Sequence, residues 1–308
     1  MRKNFKFKDK EDLEINCYKW TPDNDIEIKG VIQLVHGMAE NITRYDYFAE
    51  KLCKDGYIVY GHDHRGHGFT AKKNLLGYIA DDDGFNWMLN DIKELTDIIK
   101  EENKDLPIIL FGHSMGSFLS QRYIELYGSE IKAVILSGTN GKPSPLVKLG
   151  KAIAKFEMNR KGRKNISSKL EKLSFGSFNK HFNPVRTSYD WICSVDEEVD
   201  KYIDNKYCGF TCTSSFYYDL FNGFEDIHNK KNLNKIPKNL PIYIFAGEED
   251  PVGNFGKGIL NLYNIYKDLE IKDVEFKLYK NGRHEMLNEY NKDQVIEDIL
   301  SWLKSRVY

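Results

Sequence analysis

Residues 107–116, PIILFGHSMG, constrain this chain more than any other stretch. Ile108 to Phe111 form a short apolar run, long enough for a buried strand. The pentapeptide Gly112-His113-Ser114-Met115-Gly116 follows, with the pattern G-x-S-x-G. A helical pattern comes next, with Phe118, Leu119, Arg122, Tyr123 and Leu126 at helical spacing. Strand, pentapeptide and helix together predict a sharp turn that strains the backbone of Ser114 and lifts its hydroxyl clear of the chain. The glycines leave room for the neighbouring backbone. The Met115 N–H then lies near a helix N-terminus, where it can donate to a developing oxyanion. By itself the pentapeptide is a common turn sequence. A base, an acid and a second oxyanion donor must come from elsewhere in the chain.

The remaining sequence alternates strand and helix signals around that turn. Residues 5–20 alternate apolar and charged positions, which predicts two antiparallel strands joined at KDKED. Gly30 to Val35 is a near-continuous apolar run, as expected of a strand buried on both faces, and it leads into His36-Gly37-Met38-Ala39-Glu40. A helix is expected over Arg44 to Lys54, stopped by Gly56, and a strand over Tyr57 to Tyr60. An amphipathic helix is expected over 84–103 and a strand over Ile131 to Leu136. From 140 to 236 the alternation stops, lysines are frequent and aromatic residues come in patches. So long a structureless loop is implausible, and an inserted helical cap is the better account. Strands resume at Ile242–Ala246 and Val274–Tyr279, with helices over 255–268 and near the C-terminus. The pattern predicts an α/β protein with a mostly parallel sheet and helices on both faces. Its core comprises 1–139 and 237–308, and 140–236 is the cap. In such sheets ligands sit beyond the carboxyl ends of the strands. Met38, Gly61, Ser114, Asp250 and His284 all fall near that rim.

A serine hydroxyl needs a base to take its proton and an acid to orient and charge-balance that base. His284 follows the last strand in a glycine-containing loop and is the expected base. His113 adjoins Ser114 but should point away from it. Asp250 is preferred as the acid over Glu248 and Glu249, because a strand-end loop favours its shorter reach. The order is then Ser114, Asp250, His284. Met115 and Met38 are the expected main-chain oxyanion donors. The segment GHDHRGHG places His62, His64 and His67 close together in sequence. Its glycines make it a tight loop without the frame a metal site needs, so Asp63 and Arg65 are expected to brace it by hydrogen bonds.

Other features bound the function. With 45 basic and 46 acidic residues the net charge is −1, which gives no reason to expect nucleic acid as a partner. The first residues lack the apolar core of a signal peptide, and no apolar run is long enough to span a bilayer. The five cysteines do not read as a disulfide framework, so a reducing cytoplasm is expected. Cys208 and Cys212 have the spacing of a metal half-site, but no matching pair stands nearby.

Taken together, HGMAE followed by RY, then GHDHRGHG, GHSMGS, SGT, EEDPVG and HEMLNE resemble the monoacylglycerol lipase and lysophospholipase family of α/β-hydrolases. The segment FNPVRTSYDWICSVDEEVDKYIDNKYCGF resembles the cap of its bacterial members. The resemblance covers nearly the whole chain. It implies an α/β-hydrolase fold with a triad of Ser114, Asp250 and His284 and an oxyanion hole at Met38 and Met115. It also implies hydrolysis of a single-chain lipid ester through an acyl-enzyme, without a cofactor or metal. The lysine-rich stretch 148–172 then either touches an anionic membrane surface or is a solvated cap face. Two rivals remain. The same fold serves aminopeptidases, for which Glu197, Glu198, Asp219 or Glu225 would bind the substrate ammonium. A hydrolase fold can also be reused as a binding module, although that predicts a broken triad.

Overall fold

The computed structural model describes residues 1–71 and 75–307. Among them, eight strands form one sheet: β1 (Arg2–Lys8), β2 (Glu14–Trp20), β3 (Gly30–Val35), β4 (Tyr57–His62), β5 (Ile108–His113), β6 (Ala133–Ser137), β7 (Ile242–Gly247) and β8 (Val274–Tyr279). Their order is β1-β2-β4-β3-β5-β6-β7-β8. The first two strands form the expected antiparallel pair, with Arg2 opposite Trp20 and Lys8 opposite Glu14. β2 pairs antiparallel with β4, and all later pairs are parallel. β4 runs on to His62, past the expected end at Tyr60. Gly61 therefore lies inside the sheet opposite Tyr18 and Leu34, and the turn begins at Asp63.

The helices are α1 (Asp46–Lys54), α2 (Gly84–Glu102), α3 (Met115–Tyr127), α4 (Leu146–Lys161), α5 (Ser168–Phe175), α6 (Asp196–Asp204), α7 (Ser214–Ile227), α8 (Lys230–Leu233), α9 (Lys257–Asp268) and α10 (Lys292–Val307). The helix expected from Arg44 begins instead with a 3₁₀ turn over Ile42–Tyr45. Asn41 caps that turn by accepting from the Thr43 N–H at 3.2 Å.

The period of two along each strand explains the two hydrophobic layers. Val31, Leu110, Val134 and Ile244 point to one face, where α2, α3 and α9 cover them. Ile32, Ile109, Ile135 and Phe245 point to the other, under α1 and α10. Strands covered on both faces have no polar side, which is why β3, β5, β6 and β7 are wholly buried. Gln33 is the polar exception in β3. Its amide donates to the Ile92 carbonyl at 2.8 Å and accepts from the Thr96 hydroxyl at 2.7 Å, so its burial leaves no polar group orphaned.

The segment between β6 and β7 is helical, carrying α4 to α8. It is not detached from the rest. Phe216, Tyr217, Leu220 and Phe221 of α7 share one hydrophobic cluster with Leu89 and Ile92 of α2 and Leu119 of α3. α7 thus joins the helical segment to the main core, and residues of α4, α5 and α6 border the space above Ser114.

Candidate active site

Ser114 sits at the junction of β5 and α3 with φ 52° and ψ −119°. A positive φ is costly for a residue with a Cβ and persists only where surrounding structure holds it. The Ser114 N–H donates to the Ser137 carbonyl at 2.9 Å, and its own carbonyl accepts from the Ser117 N–H at 2.9 Å. The flanking glycines are a steric necessity. A Cβ on Gly116 would lie 2.0 Å from the Val35 carbonyl oxygen, and one on Gly112 would lie 2.4 Å from the Gly116 carbonyl oxygen.

Asp250 and His284 come together at the ends of β7 and β8. The His284 Nδ1 lies 3.0 Å from Asp250 Oδ2, and the Val252 N–H donates to Asp250 Oδ1 at 2.8 Å. Glu248 is exposed and Glu249 partly so, whereas Asp250 is fully buried. With Nδ1 committed to the carboxylate, Nε2 is left on the opposite edge of the ring. Burial alone would depress the His284 pKa. The charge and hydrogen bond of Asp250 outweigh it, Glu285 and Glu40 add to them, and the pKa is raised above 6.5.

The His284 loop is stitched on both sides to residues 190–194. The Arg283 guanidinium donates to the Asp190 and Cys193 carbonyls at 2.5 and 3.0 Å, and the Glu285 N–H donates to the Ile192 carbonyl at 2.7 Å. The Trp191 ring packs 5.2 Å from the imidazole, and His113 packs 4.7 Å away on another side. His113 Nδ1 pairs with the Ser137 hydroxyl at 3.1 Å, so it is occupied away from Ser114.

Met38 and Met115 both border the space above Ser114. Among the described residues, neither main-chain N–H donates a hydrogen bond. Met38 is held by its neighbours. The Gly37 N–H donates to Glu40 Oε1 at 2.5 Å, and the Ala39 carbonyl accepts from the Gly209 N–H at 3.0 Å and the Tyr202 hydroxyl at 2.9 Å.

His64 braces this loop through His36. His36 Nε2 accepts the His64 N–H at 3.0 Å, which leaves Nδ1 as the donor to the Gly37 carbonyl at 2.7 Å. Burial pushes His62 down to about 3 and His67 to about 4, so both are neutral at physiological pH. Asp63 accepts from the Ile42 and Phe69 N–H groups at 3.0 and 2.9 Å. Arg65 binds Asp91 and Glu11, each at 2.8 Å, and also Asp9. Among the described residues, no group of three or more His, Cys, Asp and Glu is placed to hold a metal ion. Cys208 and Cys212 are free and buried, and burial raises both thiol pKa values, that of Cys208 to about 12.

Above Ser114 and His284 lies a cavity of about 1250 Å³. Phe118, Leu146, Val147, Leu220, Phe221 and Phe224 form apolar wall, and Lys142, Lys172 and Lys257 stand on its lining as well. None of the four carboxylates expected of an ammonium site lines it among the described residues. Glu197 is exposed, Glu198 pairs with Lys201, Asp219 accepts the Gly84 N–H, and Glu225 pairs with Lys151. The carboxylates that do line it are Glu40, Glu171 and Glu285. Spacing did not single out these residues, nor Trp191, because their partners lie far away in the chain. Glu40 and Glu285 were visible only as letters of the HGMAE and HEMLNE motifs.

A serine at a strained strand–helix turn, a buried Asp–His pair and an eight-stranded mostly parallel sheet define the class: this is an α/β-hydrolase. Residues 26–291 match the family model described as serine aminopeptidase S33, and the chain belongs to that family. It is 25% identical over 288 residues to a monoacylglycerol lipase of Mycolicibacterium smegmatis, covering 94% of this chain and 92% of that one. It is 25% identical to a monoglyceride lipase of Mus musculus, covering 94% and 87%. Among solved structures it resembles a thermostable carboxyl esterase from Bacillus coagulans in complex with glycerol, with TM-score 0.92, 29% identity and coverage of 100% and 99%. In sequence and fold the chain is thus similar to monoacylglycerol lipases and a carboxyl esterase.

Proposed function

We propose that the chain hydrolyses single-chain lipid esters, a monoacylglycerol or a lysophospholipid, through an acyl-enzyme on Ser114. One observation carries this reading. The strained serine, the His284 ring held from behind by Asp250, and two unengaged N–H groups border one large, largely apolar cavity. His284 Nε2 takes the Ser114 proton as Oγ bonds to the ester carbonyl carbon. The carbonyl oxygen becomes an oxyanion that accepts from Met38 and Met115 N–H, each worth roughly 3 kcal/mol to the transition state. The C–O bond to the alcohol then breaks, and His284 returns the proton to the departing oxygen. In the second half His284 deprotonates a water, which attacks the acyl carbon and releases the fatty acid and Ser114. Protein groups and water suffice for every step.

The apolar wall suits an acyl chain, and residues 140–236 serve as the cap over a core of 1–139 and 237–308. α4 exposes Leu146, Leu149 and Phe156 beside Lys148 and Lys155, which supports a transient contact of the cap with an anionic lipid surface. Among the described residues no helix is long and apolar enough to cross a membrane. The buried free thiols suit a reducing cytoplasm.

The family description favours a second reading, an aminopeptidase. Glu171 lines the cavity and accepts only from the Thr211 hydroxyl at 2.6 Å among the described residues, so it could take an ammonium. Lys142, Lys172 and Lys257 share that lining and repel one, which favours the ester. The test is hydrolysis of a monoacylglycerol, a lysophosphatidylcholine and an aminoacyl amide by the protein and by Ser114→Ala. Ester cleavage lost in the variant is expected. Cleavage of the amide alone would establish the peptidase, and ester cleavage surviving in Ser114→Ala would refute the mechanism.

A further inference from the structure

Arg44 lies far in sequence from the His284 loop, yet its guanidinium meets both loops that flank Ser114. Nη1 and Nη2 donate to the two Glu285 oxygens, each at 2.6 Å, and Nη1 also donates to Glu40 Oε2 at 2.7 Å. The other Glu40 oxygen accepts the Gly37 N–H at 2.5 Å and the Tyr45 hydroxyl at 2.9 Å. Glu285 is held from further directions, by its N–H on the Ile192 carbonyl at 2.7 Å and by Asn288 Nδ2 on Oε2 at 2.8 Å. The Tyr202 ring packs 4.9 Å from the guanidinium, and its hydroxyl binds the Ala39 carbonyl. The Arg44 side chain is only 11% exposed. A buried ion cluster of this kind is a poor way to add stability, because desolvation offsets most of the attraction. Its geometric effect is different. One rigid planar fork, reaching two carboxylates, spans from the loop that carries Met38 to the residue adjoining His284.

We propose that Arg44 is a positioning residue, fixing the Gly37–Glu40 loop and the His284 loop at the separation that acylation of Ser114 needs. The proposal rests on the roles of Ser114, His284 and Met38 argued above. The cluster also sets the charge around the imidazole. Two carboxylates share one guanidinium, and burial raises the pKa of Glu40 while that of Glu285 is lowered. His284 therefore faces Asp250 on β7's loop, Glu285 and Glu40 with Arg44 between them, and His113 at the end of β5, while residues 190–194 present the Trp191 ring. Arg44 holds Glu285 ionised, down to about 2, against the burial that would raise it.

The test compares the wild-type protein with Arg44→Lys, Glu285→Gln and Ser114→Ala. Each is assayed on p-nitrophenyl butyrate across the pH range in which a histidine titrates, with a thermal melt alongside. Lysine keeps the charge but cannot bridge two carboxylates as a fork. Arg44→Lys is expected to lower kcat at least ~10-fold with KM within about twofold, since misplaced groups cost rate rather than ground-state binding. A folded Arg44→Lys with kcat within about twofold of wild type would overturn the proposal. If that variant does not fold, Glu285→Gln decides. It keeps shape and an acceptor for Arg44 but removes the charge. A lower kcat, with the acid limb of kcat/KM moved to lower pH, is expected. An unchanged kcat with an unmoved limb would overturn the proposal. Activity that survives in Ser114→Ala would mark a different failure, that of the triad reading itself, and would remove the basis for the role of Arg44.

Discussion

A serine at φ 52° is an unfavourable backbone conformation that only its surroundings maintain, and at Ser114 they use it to present a hydroxyl. The base proposed to activate it is tuned in the opposite sense to its neighbours. His284 has its pKa raised, chiefly by Asp250 working against burial, whereas His113 and the histidines of the 62–67 loop are depressed by burial. The proposed mechanism needs neutral His284. The acid limb of kcat/KM should therefore lie above pH 6.5, with activity rising as pH rises through it, and a limb below 6.5 would contradict the Asp250 pairing. Asp250→Asn should lower kcat roughly 10³- to 10⁴-fold while leaving the fold intact, because the amide favours the wrong imidazole tautomer. His62 gives a stability prediction. Neither ring nitrogen has a partner among the described residues, and its pKa falls to about 3. Between 6.5 and that value the unfolded chain binds a proton that the folded chain refuses. His62 then removes stability as pH falls, by up to about 1.4 kcal/mol per pH unit. Thermal melts should show His62→Leu gaining on the wild type as the solution is acidified from neutral, and a constant difference would argue against a neutral buried ring. At this scale Ser114, Asp250 and His284 were legible because each follows a strand in a fixed chain order. The Arg44 cluster was not, since Glu285 lies 241 residues from its partner and charge pairing across that span leaves no periodic trace.

The elements of the sheet were readable for a plain reason. β3, β5 and β7 are buried on both faces, so they appear as near-continuous apolar runs. The sequence shortens β4 because Gly61 and His62 look like turn residues, although both pair with β2. The helices α4 to α8 left a weaker signal, since all but α7 bury only a few residues and several aromatic residues line the cavity. Two predictions belong to elements. Gly116→Ala should destabilise the protein by about 3 kcal/mol or more, because its Cβ would collide with rigid backbone of β3 rather than a movable side chain. A thermal melt checks it, and a wild-type midpoint would show that α3 can retreat from β3. On α4, replacing Leu149 and Phe156 by glutamate should weaken sedimentation with anionic phosphatidylglycerol vesicles while sparing activity on a soluble ester. Unchanged sedimentation would remove the case for a lipid-facing cap.

Across the whole molecule, the site depends on segments that meet only in the folded state. Ser114 comes from the sheet centre, His284 from its edge, and residues 190–194 hold the histidine loop from above. α7 ties that helical segment into the core under α2 and α3. Urea unfolding followed by activity and by tryptophan fluorescence should therefore give overlapping curves, and early loss of activity would show α4 to α8 melting on their own. The central claim is narrower, that the acyl group of a lipid ester passes through Ser114. Its most direct test is mass spectrometry of protein quenched during turnover of a monoacylglycerol, with the digested peptides mapped. The account predicts an acyl adduct on the peptide containing Ser114, absent from Ser114→Ala. Fatty acid released with the adduct on another residue, or equally fast from Ser114→Ala, would contradict it.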